Sequence, residues 1–511
     1  MLSKVLSFGL NGIEGYPVVV EADITGGLPH FEVVGLADAA VKEAKERVRA
    51  GIKNSGFEYP INRITINLAP ADVKKEGPLY DLAMAVAILS ATSKVSVNLV
   101  KDIVFLGELS LDGSLRKVRG VLPILISARK QGFKKFFIPS ENIKEASYIS
   151  GIKVYAVKDL NEVVLGLNVG SNLKPIEVVD YADWSIEDEK GLDFKDVKGQ
   201  LAAKRALEIA AAGGHNVLMI GPPGSGKTML AKCFPSILPN LNFEEALEVT
   251  KVHSIAGELD LSKGIIYKRP VRAPHHTASI ISLTGGGTSA KPGEISLAHN
   301  GVLYLDEMPE YSRHTLESLR QALEDGIITV ARIKQTVCYP ASFTMIGSMN
   351  PCPCGNYGSQ TRECTCTPTQ IHKYLSKLSG PIMDRIDLHV EVDAISYDEL
   401  KTKNEGESSS SIKERVSKAK KVQSERFKNS KNHNNAKMSH ADTKKYCALD
   451  TAGEEMIKMA FDALKLSARA HDRILKVART IADIEGSENI EALHIAEAIQ
   501  YRSLDRKYWS R

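Results

Sequence analysis

The sequence predicts an α/β protein of several domains, with an N-terminal α+β domain, a central phosphate-binding α/β domain and a helical C-terminal lid. Three observations carry that prediction. Gly221-Pro222-Pro223-Gly224-Ser225-Gly226-Lys227-Thr228 fits the pattern G-x-x-x-x-G-K-[ST] at every fixed position, after the apolar run Asn216–Ile220 and before the helical run Met229–Lys232. A second apolar run, Val302-Leu303-Tyr304-Leu305, ends in the paired carboxylates Asp306 and Glu307. Near the C-terminus, Glu454–Leu464 and Ser467–Ile484 repeat apolar residues at helical spacing.

The glycine-rich stretch defines a nucleoside triphosphate site. Its glycines let backbone N–H groups curl around phosphate oxygens, and the start of the following helix adds a favourable dipole. Lys227 is placed to reach the β- and γ-phosphates, and the Thr228 hydroxyl to ligate Mg²⁺. An apolar run ending in Asp-Glu is common, but this one follows a complete phosphate loop by about eighty residues. There Asp306 is expected at the Mg²⁺, and Glu307 as the base that polarises the attacking water. A third run, Phe343–Met349, ends at Asn350-Pro351, where an amide can orient that water or touch the γ-phosphate.

At 511 residues the chain has room for about three domains. Its 43% hydrophobic and 25% charged content is that of an ordinary globular protein. It has no run of about 20 apolar residues, so no transmembrane helix is expected. The opening Met1–Gly9 is interrupted by Asn11 and Glu14 too soon for a signal peptide. Seven cysteines, four of them clustered, suit a reducing compartment better than a disulfide framework, so a cytoplasmic location is expected. The net charge of +4 is too small to establish nucleic-acid binding.

Residues 1–170 alternate short strands and helices, with strands at Val18–Ala22 and Ile64–Leu68 and helices at Ala39–Ser55 and Tyr80–Ala91. Residues 171–192 are polar and acidic and read as a linker. The phosphate-binding core is expected over 193–400. The serine run at Ser408–Ser411 opens a flexible segment, 401–440, in which Lys413–Lys437 holds nine basic residues against two acidic ones. That run reads as a solvated helix face or as a nucleic-acid contact. Residues 441–511 form the lid.

Asp384-Arg385-Ile386-Asp387 sets an arginine between carboxylates, which on its own is a surface ion pair. A ring-forming ATPase needs a cation on its neighbour's γ-phosphate, and Arg385 is the best candidate; Arg469 offers a second arginine from the lid. This ordered set resembles the AAA+ ATPases of the magnesium-chelatase-like group and, more closely, the bacterial YifB/ComM family. The resemblance spans nearly the whole chain. It includes Asp196–Gln200, Arg272-Ala273-Pro274-His275-His276-Thr277, Asn350–Gly355, Ser467-Ala468-Arg469 and Arg473–Thr480. It implies Asn350 as sensor 1, Arg385 as arginine finger, Arg469 as sensor 2, ATP and Mg²⁺ as ligands, and a homo-hexameric ring. It also implies a DNA helicase that drives branch migration during natural transformation.

The residues support a DNA motor in part. Leu283–Gly293 is a glycine-rich insert that can project Lys291 into a pore, and Asp325–Val337 reads as a hairpin with Arg332 and Lys334 near its tip. Cations there suit a phosphate backbone, or are simply solvated. Between Lys227 and Asp306 there is no clear aromatic-aliphatic-Gly loop of the peptide-threading kind. Two other readings compete. One is a chelatase motor inserting a metal into a tetrapyrrole; the other is an ATP-switched scaffold, against which Lys227, Asp306, Glu307 and Arg385 argue.

Cys352-x-Cys354 and Cys364-x-Cys366 offer four thiolates, which suit tetrahedral Zn²⁺ or, since C-x-C is tighter than the usual pair spacing, reduced or redox-labile pairs. His372 is a substitute ligand. The first 170 residues resemble a Lon-protease-like domain through Lys75-Glu76-Gly77-Pro78, Gly107-Glu108-Leu109 and Gly132–Lys135. In the protease a serine follows Gly-Pro; here it is Leu79, and the catalytic lysine position falls at Leu122. Without hydroxyl and amine the domain is expected to be proteolytically inactive, with a role in assembly or partner contact.

Overall fold

The alternating strands of the N-terminal region pair first as Leu2–Asn11 against Glu14–Thr25, antiparallel from Leu2↔Asp23 to Asn11↔Glu14. The computed structural model describes residues 1–169, 173–181, 191–260, 262–287, 290–331, 336–359, 362–394, 406–428, 430, 433–464 and 466–509. The pair lies inside a seven-stranded mixed sheet, ordered His30–Val34, Arg63–Ala69, Glu14–Thr25, Leu2–Asn11, Ile103–Phe105, Lys135–Pro139, Lys153–Val157. The helix Asp81–Ala91 is apolar on almost every side, and all its residues are buried, so it forms the centre of this unit's core. Its one carboxylate, Asp81, is held by Arg47 at 2.6 Å. Burial nevertheless pushes that carboxyl up to about 6, against the pull of Arg47.

This compact unit comprises Met1–Glu187 together with Asn242–Tyr267, a division that contiguous segments did not anticipate. The helix Phe243–Ala256, opened by an Asn242/Glu245 capping box, leaves the middle of the expected core and joins the first unit. Its Ser254 hydroxyl donates to buried Glu145 and accepts from the Gly120 amide at 3.1 Å. Such a polar seat is invisible to apolar periodicity.

The second unit comprises Asp188–Leu241 and Lys268–Arg511. Its sheet has five parallel strands, ordered Val271–Arg272, Val302–Leu305, Thr344–Met349, Val217–Ile220, Leu388–Glu391. Val217–Ile220 and Val302–Leu305 are buried throughout, as continuous apolar runs require when helices cover both faces. The helices Leu201–Gly213 and Ala468–Glu485 share one core with the sheet, through Ala206, Leu207, Ile474, Val477 and Ile481.

Within the segment expected to be flexible, the described residues include a long helix. Ser409–Arg426 is an 18-residue helix capped by Ser408, and it buries Ile412, Val416, Ala419 and Gln423. Those four positions recur at helical spacing and give the segment one packed face, which the serine run and the charge count concealed. Among the described residues no helix is long and apolar enough to cross a membrane.

Candidate nucleotide site

Three adjacent strands of the parallel sheet end within two residues of one another. Ile220 pairs with Met349, and Leu305 with Gly347. The residues that follow them, Gly221, Asp306 and Asn350, therefore emerge together at the carboxyl edge, where open α/β sheets bind ligands. Gly221 has to be glycine: a Cβ would lie 2.1 Å from the Val392 carbonyl oxygen. Gly226 turns into the helix Lys227–Cys233 at φ 94°, a conformation that favours glycine. Gln200, itself at φ 59°, donates to the carbonyls of Ser225 at 3.3 Å and Asp393 at 2.7 Å, and so clasps the loop from outside.

Lys227 is buried and donates to the carbonyls of Gly221 at 2.7 Å and Pro222 at 2.8 Å, and to Asn350 Oδ1 at 3.3 Å. Burial lowers its pKa to about 8, although Asp306 and Glu307 pull the other way. Within this loop the Ser225 hydroxyl is buried without a hydrogen-bond partner among the described residues. An orphaned donor beside a buried ammonium is what a loop built to close on phosphate oxygens presents. Pro222, Pro223 and Gly224 complete the turn.

The Thr228 hydroxyl lies 3.3 Å from Asp306 Oδ2, so the two groups expected at Mg²⁺ are neighbours. The other Asp306 oxygen accepts from the Ser348 hydroxyl and from the Glu307 amide at 3.1 Å. The Glu307 side chain is exposed, and its backbone stands at φ 49°, ψ 50°. A glutamate held left-handed is strained, and such strain gathers at functional turns. Sequence reasoning missed Ser348 and Gln200. Ser348 is a fully buried hydroxyl inside the mostly apolar strand Thr344–Met349, and that anomaly was its signal.

Arg385 and Arg469 are brought together, with Arg473, Asp387, Lys437 and Lys476, around a cavity of about 270 Å³ whose lining includes no phosphate-loop residue. Arg385 is only 4% exposed, held by Glu324 and the Pro381 carbonyl. Burial and the guanidinium groups of Arg320, Arg469 and Arg473 lower its pKa. Arg469 is exposed. Lys291 is exposed in the strand Lys291–Pro292, which pairs with Gly285–Gly286. The strands Ile327–Ala331 and Thr336–Pro340 pair antiparallel as the expected second hairpin; Arg332 and Lys334 lie outside the described residues. Cys352, Cys354, Cys364 and Cys366 converge, and His372 is not among them. In the first unit Leu79 and Leu122 are both buried in the core.

A phosphate loop, a carboxylate pair and a polar third strand on one parallel edge define a P-loop ATPase core. Comparison with known proteins sharpens this. A family model described as magnesium chelatase, subunit ChlI, matches residues 193–400, with related models for subunit ChlI of Mg-chelatase over 20–142 and for its C-terminal part over 406–502. The chain is 42% identical over 509 residues to competence protein ComM of Haemophilus influenzae, covering 99% of this chain and 98% of that one. It is 43% identical over 506 residues to the uncharacterized protein YifB of Escherichia coli K12, covering 99% and 98%. A shorter match, 29% over 164 residues, 30% of this chain and 20% of the relative, is to the Lon protease of Trichlorobacter lovleyi. The chain belongs to the YifB/ComM family of magnesium-chelatase-like AAA+ ATPases.

Proposed function

We propose that this chain is the subunit of a cytoplasmic homo-hexameric ring that hydrolyses ATP to move along DNA, in branch migration during natural transformation or recombination. The observation that supports it best is the convergence of Lys227, Thr228, Asp306, Glu307 and Asn350 at one sheet edge. In this reading Lys227 exchanges its carbonyl partners for phosphate oxygens, and Thr228 and Asp306 hold Mg²⁺. Glu307 takes the proton of the attacking water, and Asn350 orients it. Arg385 serves the γ-phosphate of a neighbouring subunit once Glu324 releases it, and Arg469 joins it from the lid. Residues 193–400 are the motor, 441–511 the lid, and 1–170 an inactive Lon-like domain for assembly or partner contact.

The DNA half rests on the competence role in the name of the Haemophilus relative and on the hairpin cations Lys291, Arg332 and Lys334. Unwinding of branched DNA by the wild type beside an Arg332→Ala, Lys334→Ala double variant tests it. The variant should hydrolyse ATP but bind DNA more weakly on every sequence, with a shallower salt dependence. Unchanged binding and unwinding would move the DNA path elsewhere, and a wild type that binds no DNA would remove the translocase reading. The magnesium-chelatase descriptions of the family models favour a second reading, a chelatase motor, whose hydrolysis would be indifferent to DNA.

A further inference from the structure

Four sulfurs meet just beyond the edge that carries the nucleotide residues. Cys352 Sγ lies 3.4 Å from Cys354 Sγ and 3.7 Å from Cys364 Sγ, and Cys354 and Cys364 are 3.7 Å apart. All four sulfurs, with Cys366, fall within 4.8 Å of one another, and none is in a disulfide. A disulfide would bring two of them to about 2.05 Å. A tetrahedral ion with metal–sulfur bonds of about 2.3 Å sets its ligands about 3.8 Å apart, close to the spacing found. The tight C-x-C spacing is no obstacle, because the chain turns at once: the Gly355 amide donates to the Cys352 carbonyl at 3.0 Å.

The backbone around the sulfurs is arranged for negative charge. The Tyr357 amide donates to Cys352 Sγ at 3.3 Å. Such a donated amide is what outer partners supply to a thiolate that shares a cation. The same loop reaches the phosphate loop. Asn350, which accepts from Lys227, stands two residues before the fully buried Cys352. Gly355, at φ 83°, presses its backbone on Pro223, so that a Cβ there would lie 2.4 Å from Pro223 Cδ.

We propose that Cys352, Cys354, Cys364 and Cys366 bind one structural Zn²⁺, and that this ion clamps the loop after Asn350 onto the phosphate loop. The metal site stands on the sulfurs alone; the clamp rests on the nucleotide reading, so metal and nucleotide are measured separately. Full-length chain purified in reductant without chelator should carry one zinc. The Cys354→Ser, Cys364→Ser double variant should carry almost none, while Cys338→Ser, at an exposed cysteine of the hairpin strand, should keep it. Cobalt(II) added to metal-stripped wild type should give the visible bands of a tetrahedral tetrathiolate site, a readout that does not depend on a variant folding. No zinc, with no cobalt bands, overturns the site. Stripping zinc should weaken ATP binding, by about tenfold for each ~1.4 kcal/mol of support the clamp supplies. Equal affinity with and without zinc overturns the clamp. Failure of both forms to bind ATP overturns the clamp and the nucleotide reading together, while the metal arms still decide the site.

Discussion

The turn Gly77–Tyr80 in the first unit and the loop Gly221–Thr228 in the second are both glycine-led bends that feed a helix. One carries the buried Leu79; the other carries Lys227 and Thr228. The difference is a lesson in what a scaffold does and does not fix. In the first unit the position following Gly-Pro and the position at Leu122 hold apolar side chains that belong to the core. Local rules are broken in both units, since Lys75 is also buried and the Ser55, Ser90 and Ser110 hydroxyls also lack partners among the described residues of the first. In the second, however, the breaks gather at one sheet edge. An ammonium is buried, the Ser225 hydroxyl has no partner among the described residues, and Glu307 is held left-handed. Violations of this kind, gathered at one edge, mark the unit whose site is kept for function.

The sharpest way to break that contrast is Lys227→Ala. A charge-assisted hydrogen bond is worth about 1.5–3 kcal/mol, so losing two to phosphate should weaken ATP binding by about 10²- to 10⁴-fold. Titration with a fluorescent ATP analogue measures it, and near-normal affinity would leave the second unit as bare of chemistry as the first.

A smaller effect sharpens the same point through pH. Burial holds Lys227 at about 8 in the nucleotide-free chain. The phosphates need the ammonium, so ATP affinity should be flat below pH 8. Above pH 8 it should fall by up to tenfold per unit while the chain stays folded. Calorimetry at pH 8 in buffers of different ionisation heat should find about half a proton taken up per nucleotide. Affinity unchanged from pH 8 to 9 would contradict the buried lysine.

The smallest effect on activity belongs to the first unit. Leu79→Ser restores a hydroxyl after Gly-Pro but no amine at Leu122, so no peptide hydrolysis should appear and ATP turnover should persist. Deleting a buried leucine side chain should still cost the first unit about 2–5 kcal/mol, seen as an earlier unfolding midpoint. Peptidase activity in this variant would undo the contrast from the other side.

The nucleotide loop, the acidic strand and Asn350 were legible because each is a short motif whose strand and turn lie within a few residues. The strands around Val18–Ala22 and Ile64–Leu68 followed from similarly local patterns. What escaped lies between segments. Ser348 meets Asp306 only through the register of two strands, and Gln200 reaches Ser225 and Asp393 only once the sheet exists. The excursion of Asn242–Tyr267 into the first unit depends on partners such as Glu145, more than a hundred residues away. Arg385 and Arg469, read as separate devices, share one cavity, a fact of packing that no spacing encodes.

The central claim, that the second unit keeps its chemistry, is tested most directly by ATP binding and steady-state hydrolysis in Glu307→Gln beside the wild type. Removing a general base costs about 10²- to 10⁴-fold in rate while leaving the phosphate contacts intact. The variant should therefore bind ATP nearly as well as the wild type and hydrolyse it at least about a hundredfold more slowly. Hydrolysis at the wild-type rate would contradict the account.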